Sequence, residues 1–131
     1  MKQTITKSDK NLRILNQLIS SGFYNGYVGP EKFELLPNRF PNNHRLVGSI
    51  NENGNYDLRF DFKPPMRLAS RLLVVVIILI IVISLVNGNW ILPLALGSLG
   101  ILFFIDFKFK ERKEINRLTD KILEFHKRGP E

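Results

Sequence analysis

The sequence predicts an α+β membrane protein: an N-terminal helix with a small antiparallel four-stranded sheet, a two-helix transmembrane hairpin and a C-terminal amphipathic helix. Three observations carry this. Residues Leu72 to Ile105 form a run of 34 without one charged side chain, so every charge of the 131-residue chain sits on the other 97. That run is interrupted by Asn87-Gly88-Asn89, a turn signal. Ahead of it, Tyr56, Leu58, Phe60 and Phe62 alternate with Asp57, Arg59, Asp61 and Lys63, the period of a strand with one apolar face.

The overall apolar fraction, 44%, resembles that of a soluble protein and hides this segregation. The charge balance is 19 Lys+Arg against 12 Asp+Glu, a formal +7. There is no cysteine, which excludes disulfides, thiolate metal sites and cysteine nucleophiles and fits a reducing cytosol. The first residues, Met1 to Lys7, are polar with no apolar core behind their lysines, so they do not read as a cleavable signal peptide.

Taken in order, Thr6-x-x-Asp9 resembles a capping box, and Leu12, Ile14, Leu15, Leu18 and Ile19 give a helical apolar face that Gly22 ends. A helix is expected over about 8–21. Four extended runs follow: Phe23 to Val28, Phe33 to Leu36, His44 to Ile50, and Tyr56 to Lys63. Gly29-Pro30, the Pro-bounded polar loop Pro37 to Asn43, and the Asn-Gly step in Asn51 to Gly54 separate them. Pro64-Pro65 closes the last run. Residues 1–65 are therefore read as a cytoplasmic helix-plus-sheet domain.

Residues 66–107 are read as the hairpin, with helices over 66–86 and 90–107. In Leu72 to Val86, fourteen of fifteen residues are Leu, Ile or Val. On an insertion scale this segment contributes roughly −4 to −8 kcal/mol. The second half, Ile91 to Ile105, is diluted by Pro93, Ala95, Gly97, Ser98 and Gly100. Each apolar half is only about 22 Å long, short of a hydrocarbon core of about 30 Å. Starting helix one near Met66 and running helix two to Phe107 closes the gap. A re-entrant hairpin shares the charge pattern, and two full spans are the preferred reading.

Residues 108–131 are read as a cytoplasmic amphipathic helix. Ile115, Leu118, Ile122 and Phe125 form its stripe over about 111–127, which packs on the sheet or on the inner leaflet. Phe103 to Lys110 fits a continued helix or a further strand, since Ile105, Phe107 and Phe109 alternate with Asp106, Lys108 and Lys110. Helix continuation is preferred.

Basic residues flank the hairpin on both sides and are missing from its turn. Lys63, Arg67 and Arg71 precede it, and Lys108, Lys110, Arg112 and Lys113 follow. Positive charge stays cytoplasmic, which puts both termini inside an inner membrane and the turn outside. These seven residues are candidates for topology and lipid-headgroup contact, with Trp90 as interface anchor. Pro93, Gly97 and Gly100 give helix two one smooth side suited to helix packing or self-association.

Catalytic signals are absent. His44 and His126 lie in different segments without ligand spacing, and Asp57 and Asp61 have Arg59 between them, which fits compensated surface charge. No phosphate loop or nucleophile elbow occurs. No ionisable residue lies in the apolar run, which argues against a pump or transporter. The expectation is a non-enzymatic protein with no cofactor, no metal, no small-molecule substrate and no nucleic acid. Its expected partners are the lipid bilayer and a protein partner or a second copy. The preferred role is an adaptor, accessory subunit or regulator. A membrane-perturbing effector that oligomerises through its hairpin, and an anionic-lipid-binding module, are the alternatives.

Phe23-x-x-Gly26, Phe33-Glu34-Leu35, Gly48-Ser49-Ile50 and the Pro-bounded approach to a two-helix hairpin resemble small two-pass membrane proteins of bacteria with a cytoplasmic β-rich domain. The resemblance spans most of residues 23–128. It implies the same architecture and no activity.

Overall fold

The computed structural model describes residues 3–40 and 42–129. The N-terminal residues Met1 and Lys2, and Pro41 of the expected polar loop, lie outside them. The elements are β1 (Thr4–Ile5), α1 (Asp9–Ser20), β2 (Tyr24–Val28), β3 (Lys32–Pro37), β4 (His44–Ile50), β5 (Tyr56–Phe62), α2 (Pro64–Val86) and α3 (Ile91–Arg128). They divide into two compact units, Met1–Lys63 with Glu114–Glu131, and Pro64–Lys113.

The first unit is built on an antiparallel sheet of order β1-β5-β4-β3-β2. It has five strands where four were expected. The additional strand is β1, which pairs Thr4 with Asp57 and Ile5 with Tyr56. Two residues cannot display a period, and Ile5 stands alone among polar neighbours, so the sequence carries no signal for it.

Strand pairing explains which side chains are inside. The registers Gly26↔Leu35↔Leu46↔Phe60 and Val28↔Phe33↔Gly48↔Leu58 place each row on one face. Phe33, Leu35, Leu46, Tyr56, Leu58 and Phe60 are buried there with Ile5 and Tyr24. The same core takes Ile14, Leu15 and Leu18 from α1 and Ile115, Leu118 and Ile122 from α3. The opposite face is polar, and Arg45 there meets Glu34 at 2.8 Å and Asp61 at 3.9 Å.

Local signals account for the ends of α1. The N-cap is Ser8, whose hydroxyl accepts the Asn11 N–H at 3.1 Å, so the expected Thr6-led box is displaced by two residues. At the other end Gly22 adopts φ 74°, with Gly22 N–H bonded to the Ile19 carbonyl and Phe23 N–H to that of Leu18. This is the paired bonding of a Schellman stop, for which glycine is the favoured residue.

The second unit holds two helices. α2 starts at Pro64, not Met66, because proline suits the first turn of a helix, where its missing N–H has no intrahelical partner to lose. α3 runs unbroken for 38 residues, so the expected separate C-terminal helix is the second half of one element. The stretch from Ile101 to Arg128 contains neither Gly nor Pro and is rich in Lys, Arg and Glu. The Asp106–Lys110 and Lys108–Glu111 pairs, at 2.7 and 2.6 Å, are helix-spaced and reinforce the segment that had also fitted a strand.

Candidate membrane interface

α2 and α3 are each long and apolar enough to cross a membrane, with mean hydropathy 3.0 and 1.8 over their most apolar windows, and none of either window is buried inside the protein. At 1.5 Å per residue the 23 residues of α2 extend about 34 Å, more than a hydrocarbon core of about 30 Å. Core helices of water-soluble folds bury such stripes; these do not.

The connection between them keeps its backbone satisfied in very few residues. Gly88 takes φ 72°, and the Gly88 and Asn89 N–H groups bond the Leu85 and Ser84 carbonyls, ending α2 as α1 ends. Asn89 then turns its side-chain oxygen to the N–H groups of Ile91 and Leu92 at 3.2 and 3.4 Å, starting α3. One asparagine thus serves the end of one helix and the start of the next. Trp90 stands 67% exposed beside it. Ser84, the buried residue of α2, lies just before this turn.

The basic residues distribute as follows. Lys63 is half-buried at the end of β5, where its N–H bonds the Asn43 carbonyl at 2.9 Å. Arg67 is half-buried in the first turns of α2 and Arg71 is exposed one turn later. On α3, Lys108 is tied to Glu111 and lies 6.0 Å over the Phe104 ring. Lys110 is tied to Asp106 on another side of the helix, and Arg112 and Lys113 are exposed. Lys108 and Arg112, with Phe104, Ile105 and Phe109, line one shallow groove of about 190 Å³. Pro93 is half-buried, whereas a side chain added at Gly97 or Gly100 would meet nothing within 4 Å, so that smooth side is open.

Sequence reasoning missed four features of the sheet unit. The Tyr24 hydroxyl donates to Glu114 at 3.1 Å, a contact between residues 90 apart that no local pattern announces. The His44 ring stacks on Phe60 and tilts against Phe62, both at 4.8 Å. Lys121 sits 4.4 Å over the Phe23 ring. Phe40 projects from the β3–β4 loop, where surrounding asparagines give no period to read. Among the described residues, no group of three or more His, Asp or Glu side chains could hold a metal ion.

Tyr24 has the most perturbed titration in this unit. Burial pushes its phenol well above the ordinary 10.0, the Glu114 carboxylate adds to the rise, and Arg117 and Arg39 partly oppose it. The folded state therefore favours the neutral phenol. That stabilisation is fully present below about pH 10 and is lost as pH rises from there towards the folded-state value. Tyr56 is raised as well, by burial. Wild type should thus lose stability above pH 10 more steeply than Tyr24→Phe in detergent micelles, measured by urea unfolding at a series of pH values. Parallel curves would refute the role given to this phenol.

No protein-family model, curated protein or solved structure matches the chain.

Proposed function

We propose that the chain is a two-pass membrane protein of a bacterial inner membrane, with both ends cytoplasmic, whose sheet unit recruits a protein partner without catalysing a reaction. The carrying observation is the uncovered apolar hairpin, bounded by basic residues at both ends and turned by an uncharged Asn-Gly-Asn-Trp loop. Water is a poor solvent for so much exposed Leu, Ile, Val and Phe, and lipid removes the penalty. Flanking lysines and arginines resist translocation, which orients the pair. The folded sheet unit then serves as the part available to a cytoplasmic partner. The bilayer and that partner are the ligands; nothing in the side-chain chemistry favours a small-molecule substrate.

The absence of cysteine makes this testable without background labelling. In intact cells, an impermeant maleimide should label Asn87→Cys and leave Asn53→Cys, in the β4–β5 loop, untouched until the cells are opened. Native membranes solubilised in mild detergent should then yield the protein with a stoichiometric partner. Labelling of Asn53→Cys from outside overturns the topology. A lone, monodisperse protein from native membranes overturns the recruiting role.

A further inference from the structure

Phe40 is 96% exposed, the highest value for any large apolar side chain among the described residues. It lies in the β3–β4 loop directly after Arg39, which is also exposed. The strand registers fix where that loop is. Tyr24 pairs with Pro37 and His44 with Phe62, so residues 22–24, 37–40, 42–44 and 62–63 share one end of the sheet. At that end the Asn43 carbonyl accepts the Lys63 N–H, and the next residue, Pro64, begins α2. Glu114, where α3 joins the sheet unit, accepts the Tyr24 hydroxyl there too. Both passages of the chain between the sheet unit and the apolar hairpin therefore fall at the end that carries Phe40.

From this placement we infer that the β3–β4 loop is a membrane-interface anchor, in which Phe40 seats among phospholipid headgroups and upper acyl chains and Arg39 meets a phospholipid phosphate. The inference rests on α2 and α3 crossing a bilayer. A ring left in water forgoes the free energy that burial of its apolar surface would return. Next to an anionic leaflet each basic side chain adds electrostatic attraction. Asn38, Arg39, Asn42 and Asn43 bring no carboxylate to the loop, and Lys63 adds a second cation beside it. One aromatic ring among asparagines is too little apolar surface for a protein docking site, which needs about 1,000 Å² in total. It is sufficient for an interfacial anchor, where aromatic rings and basic side chains work singly.

The test uses the full chain reconstituted in vesicles of phosphatidylcholine and phosphatidylglycerol with brominated acyl chains. Trp90 is the sole tryptophan, so its quenching in wild type reports hairpin insertion. Phe40→Trp combined with Trp90→Phe should emit with a blue shift and be quenched to a degree comparable with Trp90. Bromines near the headgroups should quench it more than bromines near the chain ends. Adding Arg39→Glu should reduce the quenching in phosphatidylglycerol-rich vesicles. Water-like, unquenched emission at position 40, with Trp90 quenched in wild type, overturns the anchor and leaves the two-pass reading intact. A blue shift without bromine quenching places the ring against protein and also overturns the anchor. If Trp90 in wild type is itself unquenched, the two-pass reading falls, and the anchor with it.

Discussion

A chain carrying Val76→Lys and Ile80→Lys should no longer expose its turn outside the cell. Both positions lie near the middle of α2, one helical turn apart, and both are exposed in the folded protein, so neither substitution disturbs a packed core. Each lysine at the centre of a span costs about 3 kcal/mol and removes an aliphatic contribution of about 0.5 kcal/mol. Together the change is about 7 kcal/mol, which cancels the roughly −4 to −8 kcal/mol of the Leu72–Val86 run. α3 remains apolar enough to cross, at a mean hydropathy of 1.8, but as a lone span with the turn outside it would force Lys63, Arg67 and Arg71 outward, which their positive charge opposes. External maleimide labelling of Asn87→Cys should therefore fall to background in the double variant. Asn16→Lys with Ser20→Lys, on exposed positions of α1, is the matched control for added charge and should leave labelling unchanged. Undiminished labelling of the double variant would mean that α2 does not cross the bilayer.

The hairpin and most of the sheet were legible because their signals are local. Fifteen residues with a single polar member, or four aromatic and aliphatic residues in strict alternation, announce an apolar helix or a one-faced strand within one window. The same holds for the stops at Gly22 and Gly88, where the left-handed backbone needs a residue without a side chain. What escaped depends on partners far along the chain. The two residues of β1 become a strand only because β5 supplies their partners at Asp57 and Tyr56. The unbroken course of α3 was obscured by a period-two pattern in Ile105, Phe107 and Phe109 that suits a strand as well as a helix. The helix prevails because the chain arrives there already helical and the Asp106–Lys110 pair spans one turn. For the candidate interface, the sequence offered the seven basic residues as a set and gave no sign of the division between Lys108 and Arg112, which share a groove, and Lys110, which is tied away from it. Phe40 was unreadable for a different reason. Its exposure and its place at the end of the sheet follow from registers among β2, β3, β4 and β5, and a lone aromatic in a loop has no period to betray it.

Gly48→Ala should unfold the sheet unit or leave it barely stable. Gly48 is the β4 partner of Phe33, and the Phe33 ring lies across the space that a side chain would fill. A Cβ at position 48 would stand 2.7 Å from the ring's Cδ1 and nearer still to Cε1 and Cζ, a collision with one edge of a rigid ring rather than with a flexible end. The ring has no room to yield. Phe33 is fully buried and meets Tyr56 edge to face at 5.2 Å, and Tyr56 is itself buried with its hydroxyl bonded to the Pro30 carbonyl at 2.9 Å. Overpacking of a tight core typically costs 1–3 kcal/mol and more where the neighbour is locked, so a loss of about 3 kcal/mol or above is expected from a unit whose whole stability is on the order of 5–15 kcal/mol. Phe33→Leu removes the obstructing ring edge at the cost of a small cavity, so the pair Gly48→Ala with Phe33→Leu should be more stable than Gly48→Ala alone. Urea unfolding of the full chain in micelles, followed by circular dichroism, measures all three variants. Additive losses in the double variant, or a Gly48→Ala protein within about 0.5 kcal/mol of wild type, would show that the Phe33 ring does not close off this space and that glycine at position 48 serves some other end.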